Sequence, residues 1–491
     1  MIGITYKIHD RFSIEFKVWF TSRDKNDEEV PLSDFAINTW MFFPNSLDIN
    51  GSTYDKTQFH RDIKSNVRLI TPDFSLRDLA RYDADPYVKL RDAVAHLTEP
   101  ISKEEEAEYR FQLKLFAAIF KSAVRDEANA IISSFAEYPD NMSLLSQQLQ
   151  HYAEDSQSAL SHFAELRRSI PESQLPPYTY ADEFMDNILE IHTARMAEYF
   201  EQQQLSYNVR EPLVRLAKQL RKNDFDKGYL HVETDGGPEA DERNQQLVDR
   251  HSMLKKFVEG ALYLKVDTHK DGRKVEQFWF GVAAGLAMIL STLIALPFQR
   301  YWAGYPALLF AALVIAYGFK DRMKEWLRVL FANQLRNRYF DSKSVVKIKE
   351  TPAGWIKESV DFVDENKVPA QVMKSRRRNP VENANPMLDE QILFYRKRVR
   401  VDADILNSQY SYRFSGINDI MRFHWIHFMQ KMVGPEVDLS TVTEDGTVCR
   451  IPTERVYTIY IVMQLQCEGQ LEYRCFEVAS TAEGIKSVTQ R

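Results

Sequence analysis

Glycine is scarce in this chain, 17 of 491 residues, which is about half the share of about 7% usual in globular proteins. A glycine-poor backbone has few places to wrap a phosphate, and no GxxxxGK[ST], strand-linked GxGxxG or GxSxG elbow occurs. Nucleotide and serine-hydrolase chemistries built on such loops lose their sequence support. Cysteine is equally thin. Cys449, Cys467 and Cys475 are the whole complement, too few for a disulfide framework or a four-thiolate zinc site. They read as buried structural thiols, because no fixed partner marks any of them as a nucleophile. Low-complexity tracts and internal repeats are also missing. With 44% hydrophobic and 27% charged residues, wholesale disorder is excluded. At about 150 residues per domain the length implies roughly three domains.

Charge is missing from one place above all. Positions 278–298 read FWFGVAAGLAMILSTLIALPF, 21 residues without an ionisable group, about 31 Å of helix and close to the hydrocarbon thickness of a bilayer. A second uncharged run, AGYPALLFAALVIAYGF at 303–319, has 17 residues, about 26 Å and at the short end of the spanning range. Phe278, Trp279, Tyr301, Trp302, Tyr305 and Tyr317 sit where an aromatic belt belongs. The two runs predict a transmembrane hairpin at 277–319. Basic residues flank it on both sides, Lys265, Lys270, Arg273 and Lys274 before and Lys320, Arg322, Lys324 and Arg328 after, with Arg300 alone in the turn. The positive-inside rule then places both large soluble parts and both termini in the cytoplasm, at an inner or plasma membrane. The first twenty residues lack the continuous apolar stretch of a signal peptide. The sequons at Asn50 and Asn141 would stay unmodified in that compartment.

The spans contain no Asp, Glu, Lys, Arg or His, which argues against transport or proton relay through them. They contain small residues instead. Gly281 and Gly285, Ser291 and Ala295, Ala307 and Ala311, and Ala312 and Ala316 repeat at four-residue spacing, the pattern that lets helix backbones approach in lipid. These positions are expected to pack the two helices of the hairpin against each other, with packing between subunits as the alternative.

Elsewhere the periodicity divides the chain into a multi-domain α+β arrangement. Positions 1–95 form a β-rich module, led by Phe12, Ile14, Phe16, Val18 and Phe20 alternating with Ser13, Glu15 and Lys17. Positions 96–235 form a helical module, with Leu113, Phe116, Ala117 and Phe120 on one helix face and an acidic first turn at Glu104, Glu105 and Glu106. Positions 236–276 give a juxtamembrane helix and a short hairpin around Asp271-Gly272. An amphipathic helix follows the hairpin at 320–343, and 344–491 forms a C-terminal α+β module with strands near 391–401, 455–466 and 470–478 and one helix near 416–432.

Candidate chemistry is sparse. His424 and His427 would share a helix face, but no HExxH or ligand spacing accompanies them, so hydrogen-bonded histidines are expected and no metal or cofactor is. Asp83-Ala84-Asp85 lacks a nucleotide-binding context and reads as turn carboxylates. The basic runs say more. Positions 320–400 hold 19 Lys and Arg against 11 Asp and Glu, a local excess of 8 in a chain whose net charge is −7. Lys374, Arg376, Arg377, Arg378, Arg396, Lys397, Arg398 and Arg400 dominate it; the loop-like NPVENAN at 379–385 favours a plain solvated loop for the first cluster, and beside a membrane helix the charges are the candidates for anionic lipid headgroups. Nucleic acid is disfavoured, because no recognition motif accompanies the charge. The expected partners are the bilayer and its headgroups, with a protein partner or a second copy left open. The functional expectation is a membrane-anchored, cytoplasm-facing interaction, scaffolding or sensing protein. Its alternatives are a membrane-associated enzyme without a local motif and an oligomeric effector acting through the hairpin.

Overall fold

The computed structural model describes the chain except at positions 1, 22–33, 98–99, 235, 302–305, 337–338, 349–350, 377–389, 403–404, 407–411, 413, 415, 435 and 468. The chain begins with β1 (Ile2–Asp10), β2 (Ser13–Thr21), β3 (Asp34–Pro44), α1 (Lys56–Asp62) and β4 (Ile63–Leu69). Helices follow: α2 (Leu76–Leu79), α3 (Asp85–Ala95), α4 (Lys103–Glu137), α5 (Met142–Leu166), α6 (Leu175–Gln202), α7 (Tyr207–Lys227) and α8 (Pro238–Glu259). Then come β5 (Lys265–Lys270), the long helices α9 (Arg273–Tyr301) and α10 (Pro306–Arg336), β6 (Ser342–Ile348), β7 (Thr351–Val363), α11 (Ala370–Arg376), β8 (Glu390–Val401), β9 (Gly416–His424) and α12 (Ile426–Met429). The last strands are β10 (Glu436–Val442), β11 (Val448–Glu454), β12 (Tyr457–Cys467), β13 (Gln470–Thr481) and β14 (Gly484–Gln490). Mixed helix and strand in several sheets makes the protein α+β, as the periodicities implied.

Two compact units emerge. The first comprises 1–67, 264–411 and 416–491; the second comprises 68–263 and 412–415. In the first unit an eight-stranded sheet runs β14-β13-β12-β3-β8-β7-β6-β5, and a four-stranded sheet runs β1-β2-β9-β4. The strands expected as separate N- and C-terminal modules are therefore interleaved. β3 pairs with β12 on one side and β8 on the other, and β2 pairs with β9. The residues explain the placement. β3 carries Phe35, Ile37, Trp40, Met41, Phe42 and Phe43, all buried, and a strand apolar on both faces belongs in the middle of a covered sheet. β2 keeps its alternation, with Ile14, Phe16, Val18 and Phe20 buried and the intervening side chains outward.

Between the two sheets lies a buried ion pair. Lys397 of β8 is 1% exposed and its Nζ lies 2.5 Å from Oδ2 of Asp419 on β9, whose side chain is 0% exposed. Lys397 also donates to the Ser65 hydroxyl of β4, and Tyr395 donates to Glu358 at 2.6 Å beside it. Burial pushes the Asp419 carboxyl upward and the Lys397 ammonium pulls it back.

The second unit is helical. α4 opens on a capping box, Ser102 accepting from Glu105 and Glu105 from Ser102, at the acidic first turn read from the sequence. Its core stacks Phe116, Phe163 and Tyr178, with ring planes 6° apart in each contact.

Three local expectations change. The segment near 416–432, expected as a helix, is the strand β9 and the single turn α12; β9 lies between β2 and β4 and from Ile420 alternates buried Met421 and Phe423 with partly exposed Ile420, Arg422 and His424. The short hairpin expected around Asp271-Gly272 is absent. β5 pairs instead with β6, and Arg273 already begins α9. Among the described residues one helix, Val275–Leu293, is long and apolar enough to cross a membrane. Of the second expected span, positions 303–305 lie outside the described residues, and the described apolar part of α10, 306–319, gives about 21 Å before the first charge at Lys320.

Replacing Lys397 by Met should strand Asp419 and destabilise the protein by about 3–5 kcal/mol. Adding Asp419→Leu should restore most of that loss. Thermal unfolding in detergent, with the exposed Arg400→Gln as the neutral control, reads both effects.

Candidate functional site

The helices α9 and α10 lie side by side, with the Trp279 and Phe331 rings 5.0 Å apart and Arg328 5.4 Å above the Phe280 ring. Ala283 and Ala287 of α9 and Ala316 of α10 are the buried small residues of the pair. Gly281 and Gly285 are not. Both are exposed, and an ideal Cβ at either meets nothing within 4 Å. The sequence spacing was right for close packing but named the wrong face, since two positions along a helix turn the side chain by about 200°. Ser291 is half-buried and donates to the Met288 carbonyl at 3.1 Å; Ala307 and Ala311 are exposed. The side chains of Ala295 and Ala312 lie outside the described set. Outward, Phe278, Met288, Ile289, Leu293, Phe310, Val314 and Ile315 expose large apolar surface, more than a water-soluble face carries without a partner.

At the base of α9 the sheet aligns positive charge. Cross-strand register places His269 opposite Lys343, Lys343 opposite Lys357 and Lys357 opposite Arg398. Four basic residues on four neighbouring strands thus form one row on one face. The next row of that face holds Trp355 opposite Arg400, and the row on the other side holds Ser359 opposite Arg396. Like charges directly opposite each other are unfavourable. Only part of the row is compensated within the described residues: Lys357 lies 3.1 Å from Asp271, whereas Lys343, Arg398 and Arg400 have no carboxylate at ion-pair distance among them. Asp271 also takes the Phe340 amide at 3.3 Å. The turn that starts α9 is thereby tied to the basic row, and from Arg273 to the first apolar aromatic, Phe278, is about 7.5 Å of helix.

The eight basic residues singled out in the sequence divide by strand parity. Arg398 and Arg400 are exposed on the outward face, and Arg396 is half-buried there, donating to Ser359 at 3.0 Å with the Phe340 ring 5.1 Å from its guanidinium. Lys397 points inward to Asp419, and burial removes it from any lipid contact. Arg376 is removed in the same way. It is 2% exposed, ion-paired with Glu390, and its guanidinium lies 4.6 Å from the Phe42 ring and 5.1 Å from the Tyr460 ring. Lys374 is exposed on α11. Arg377 and Arg378 lie outside the described residues. His269, Lys343 and Lys357 were missed, because only register brings them beside Arg398.

Other candidates resolve into local structure. His424 shares a 2.9 Å hydrogen bond with Ser13, while His427 Nδ1 sits 2.9 Å from Asp62 Oδ2. The two histidines therefore serve different partners. Tyr54 donates to the same Asp62 oxygen at 2.8 Å. Asp83 is held by Arg81 at 2.7 and 2.9 Å, and Asp85 by Lys89 at 2.5 Å. Cys475 is buried and Cys467 partly so, but Cys449 is exposed on β11, contrary to expectation. A cavity of about 330 Å³ opens between α1, β7 and β8, lined by Tyr54, Lys56, Phe59, Asp361 and Phe362. Its polar groups already satisfy one another. Lys56 lies 2.9 Å from both Asp341 and Asp361. Burial would raise Asp341, but hydrogen bonds from Lys56 and the Val360 amide, with His60 4.0 Å away, outweigh it and hold the carboxyl down at about 2.

Comparison with protein-family models, with curated proteins and with solved structures found no match.

Gly281→Leu with Gly285→Leu should leave the thermal stability of the detergent-solubilised protein unchanged, since the added side chains enter open space. Ala283→Leu with Ala287→Leu should lower it, by about 1–3 kcal/mol on the overpacking scale. A reversed order of the two variants would show that the glycine face carries the packing.

Proposed function

We propose that the protein is anchored in a membrane by the α9–α10 pair and holds its basic sheet face against the anionic, cytoplasmic leaflet as an interaction or sensing module. The observation that carries this reading is the row His269, Lys343, Lys357 and Arg398, in register across β5 to β8 and joined to α9 through Asp271. Such a row is unfavourable alone and favourable beside phosphate and carboxylate headgroups, where each basic side chain contributes about 1 kcal/mol. The attachment fits as well, because Lys357 of the row is ion-paired with Asp271, two residues before α9 begins at Arg273. Trp355 and Phe340 next to the row suit the interfacial layer, where amphipathic rings settle. In this reading α10 completes a hairpin by packing on α9, and both termini remain in the cytoplasm.

The full chain reconstituted in lipid nanodiscs tests the surface contact. Amide exchange of β6–β8 should slow when phosphatidylserine replaces part of the phosphatidylcholine. High salt should abolish the slowing, and so should Lys343→Gln combined with Lys357→Gln and Arg398→Gln. Exchange indifferent to lipid charge at low salt would remove the headgroup reading.

Orientation has its own readout. Cys449 is exposed, so a membrane-impermeant thiol reagent should label it in inverted vesicles and not in intact cells, with Cys449→Ser as control. Labelling in intact cells would reverse the topology.

A further inference from the structure

The second unit contains a buried excess of acid. Asp182 and Asp186 stand one turn apart on α6, and both reach Lys227 Nζ, at 2.7 and 2.6 Å. Tyr229 donates to Asp182 at 2.9 Å. Asp224, on the last turn of α7, is 0% exposed, and neither of its carboxylate oxygens has a hydrogen-bond partner among the described residues. Its backbone carbonyl takes the Tyr229 amide at 2.8 Å, just past the left-handed Gly228 cap at φ 71°. A carboxylate at this end of a helix also faces the negative end of the helix dipole.

The surroundings do not supply a second cation for it. From α6 come Asp182, Asp186, Glu190 and the Tyr178 phenol; from α7 itself come Lys227 and Arg221, the latter acting on Glu190; beyond α7 come Tyr229 and His231. α5, also packed on α7, presents the uncharged Gln157, which bonds Gln219 at 2.8 Å. On α8, Arg250 is taken by Glu183 at 2.8 Å. Among the described residues no group of His, Cys, Asp and Glu is arranged to hold a metal ion. A fully buried, unpartnered carboxylate facing other carboxylates costs several kcal/mol if it stays ionised, and one bound proton removes that cost.

We infer that Asp224, together with Asp182 and Asp186, is a proton-binding site that locks the C-terminal end of α7 onto α6 when occupied and loosens it when the proton leaves. The lock consists of Lys227 on both α6 carboxylates and the Tyr229 hydroxyl on Asp182. Ionised Asp224 competes for Lys227 and repels the α6 pair, so the last turn of α7 and the segment through Tyr229 open.

The titration range agrees with the geometry. Burial, with Asp186 next in weight, pushes Asp224 up to about 7, and burial with Asp182 raises Asp186 as well. The folded state holds its proton more tightly than the unfolded chain, whose aspartates titrate near 3.9. The stabilisation is therefore complete at low pH, falls as pH rises through the range between those values, and is gone above about 7.

The test uses the full chain in detergent. Amide exchange of residues 224–230, corrected for its intrinsic pH dependence, should rise about tenfold between pH 6 and 8, as expected when a group titrating near 7 loses its proton. Asp224→Asn should flatten that rise while keeping the slow exchange seen at pH 6. Should the variant fail to fold, infrared spectra of the wild type decide: a protonated-carboxyl band present at pH 6 and lost by pH 8 supports the site. Equal pH responses in wild type and variant, or a wild type with no such band at pH 6, overturn it.

Discussion

The Lys397–Asp419 pair constrains both faces of the main sheet at once. Because Lys397 must point inward to reach a carboxylate on the facing sheet, strand parity sends Arg396, Arg398 and Arg400 outward. A register slip of one residue would bury three guanidinium groups and expose the lysine, so the desolvation cost of unpaired charge specifies the register more sharply than apolar contacts could. The outward basic face follows from the inward ion pair. A feature that looks like a cluster of eight charges along the chain is in space a core residue and a surface row.

The helices α9 and α10 are attached to that same sheet at two neighbouring strands. α9 leaves from β5, α10 returns to β6, and β5 pairs with β6 from Lys265 opposite Lys347 to Lys270 opposite Ser342. Adjacent strands lie about 4.8 Å apart while packed helices lie about 8–10 Å apart, so the turn at Asp271-Gly272 and the segment after α10 must splay the chain. Asp271 holds that splay through Lys357 and the Phe340 amide. β5 is otherwise an exposed edge strand, and its lysines and His269 also guard it against pairing with another chain.

Much of the fold was legible in the sequence because local period decides local structure. The alternation in β2, the helical face and acidic first turn of α4, the strands β8, β12 and β13 and the apolar stretch of α9 are all visible along the chain. What period cannot show is partnership. β3 reads as a strand, yet nothing local says that it sits between β8 and β12, more than 340 residues away in sequence. β9 is strand because its residues pair with β2 from Gly416 to His424, a partnership that its mixed sequence GINDIMRFH does not announce. The basic row was half legible: the charges of β8 were noticed, and strand parity alone would have separated Lys397 from its neighbours. His269, Lys343 and Lys357 needed the register. The same limit hid Asp224, whose neighbours on α6 are about 40 positions away and whose lack of a partner exists only in the folded state.

Charge accounting links these places and explains their different behaviour. Where a buried carboxylate meets a buried ammonium, as at Asp419 and Lys397, the two groups compensate each other within the core. Where bases line up with few acids among the described residues at the surface, as in the β5–β8 row, the imbalance faces outward, and in the proposed reading an anionic leaflet supplies the counter-charge. Where acids outnumber the one ammonium they can reach, as around Lys227, and water is excluded, the missing charge is supplied by the smallest cation available, a proton. The sign and the burial of the imbalance therefore select the ligand in each case: none, an anionic surface, or H⁺. In this chain the balanced pair is the one that holds the architecture, and the two unbalanced sets are the ones free to respond to what surrounds it.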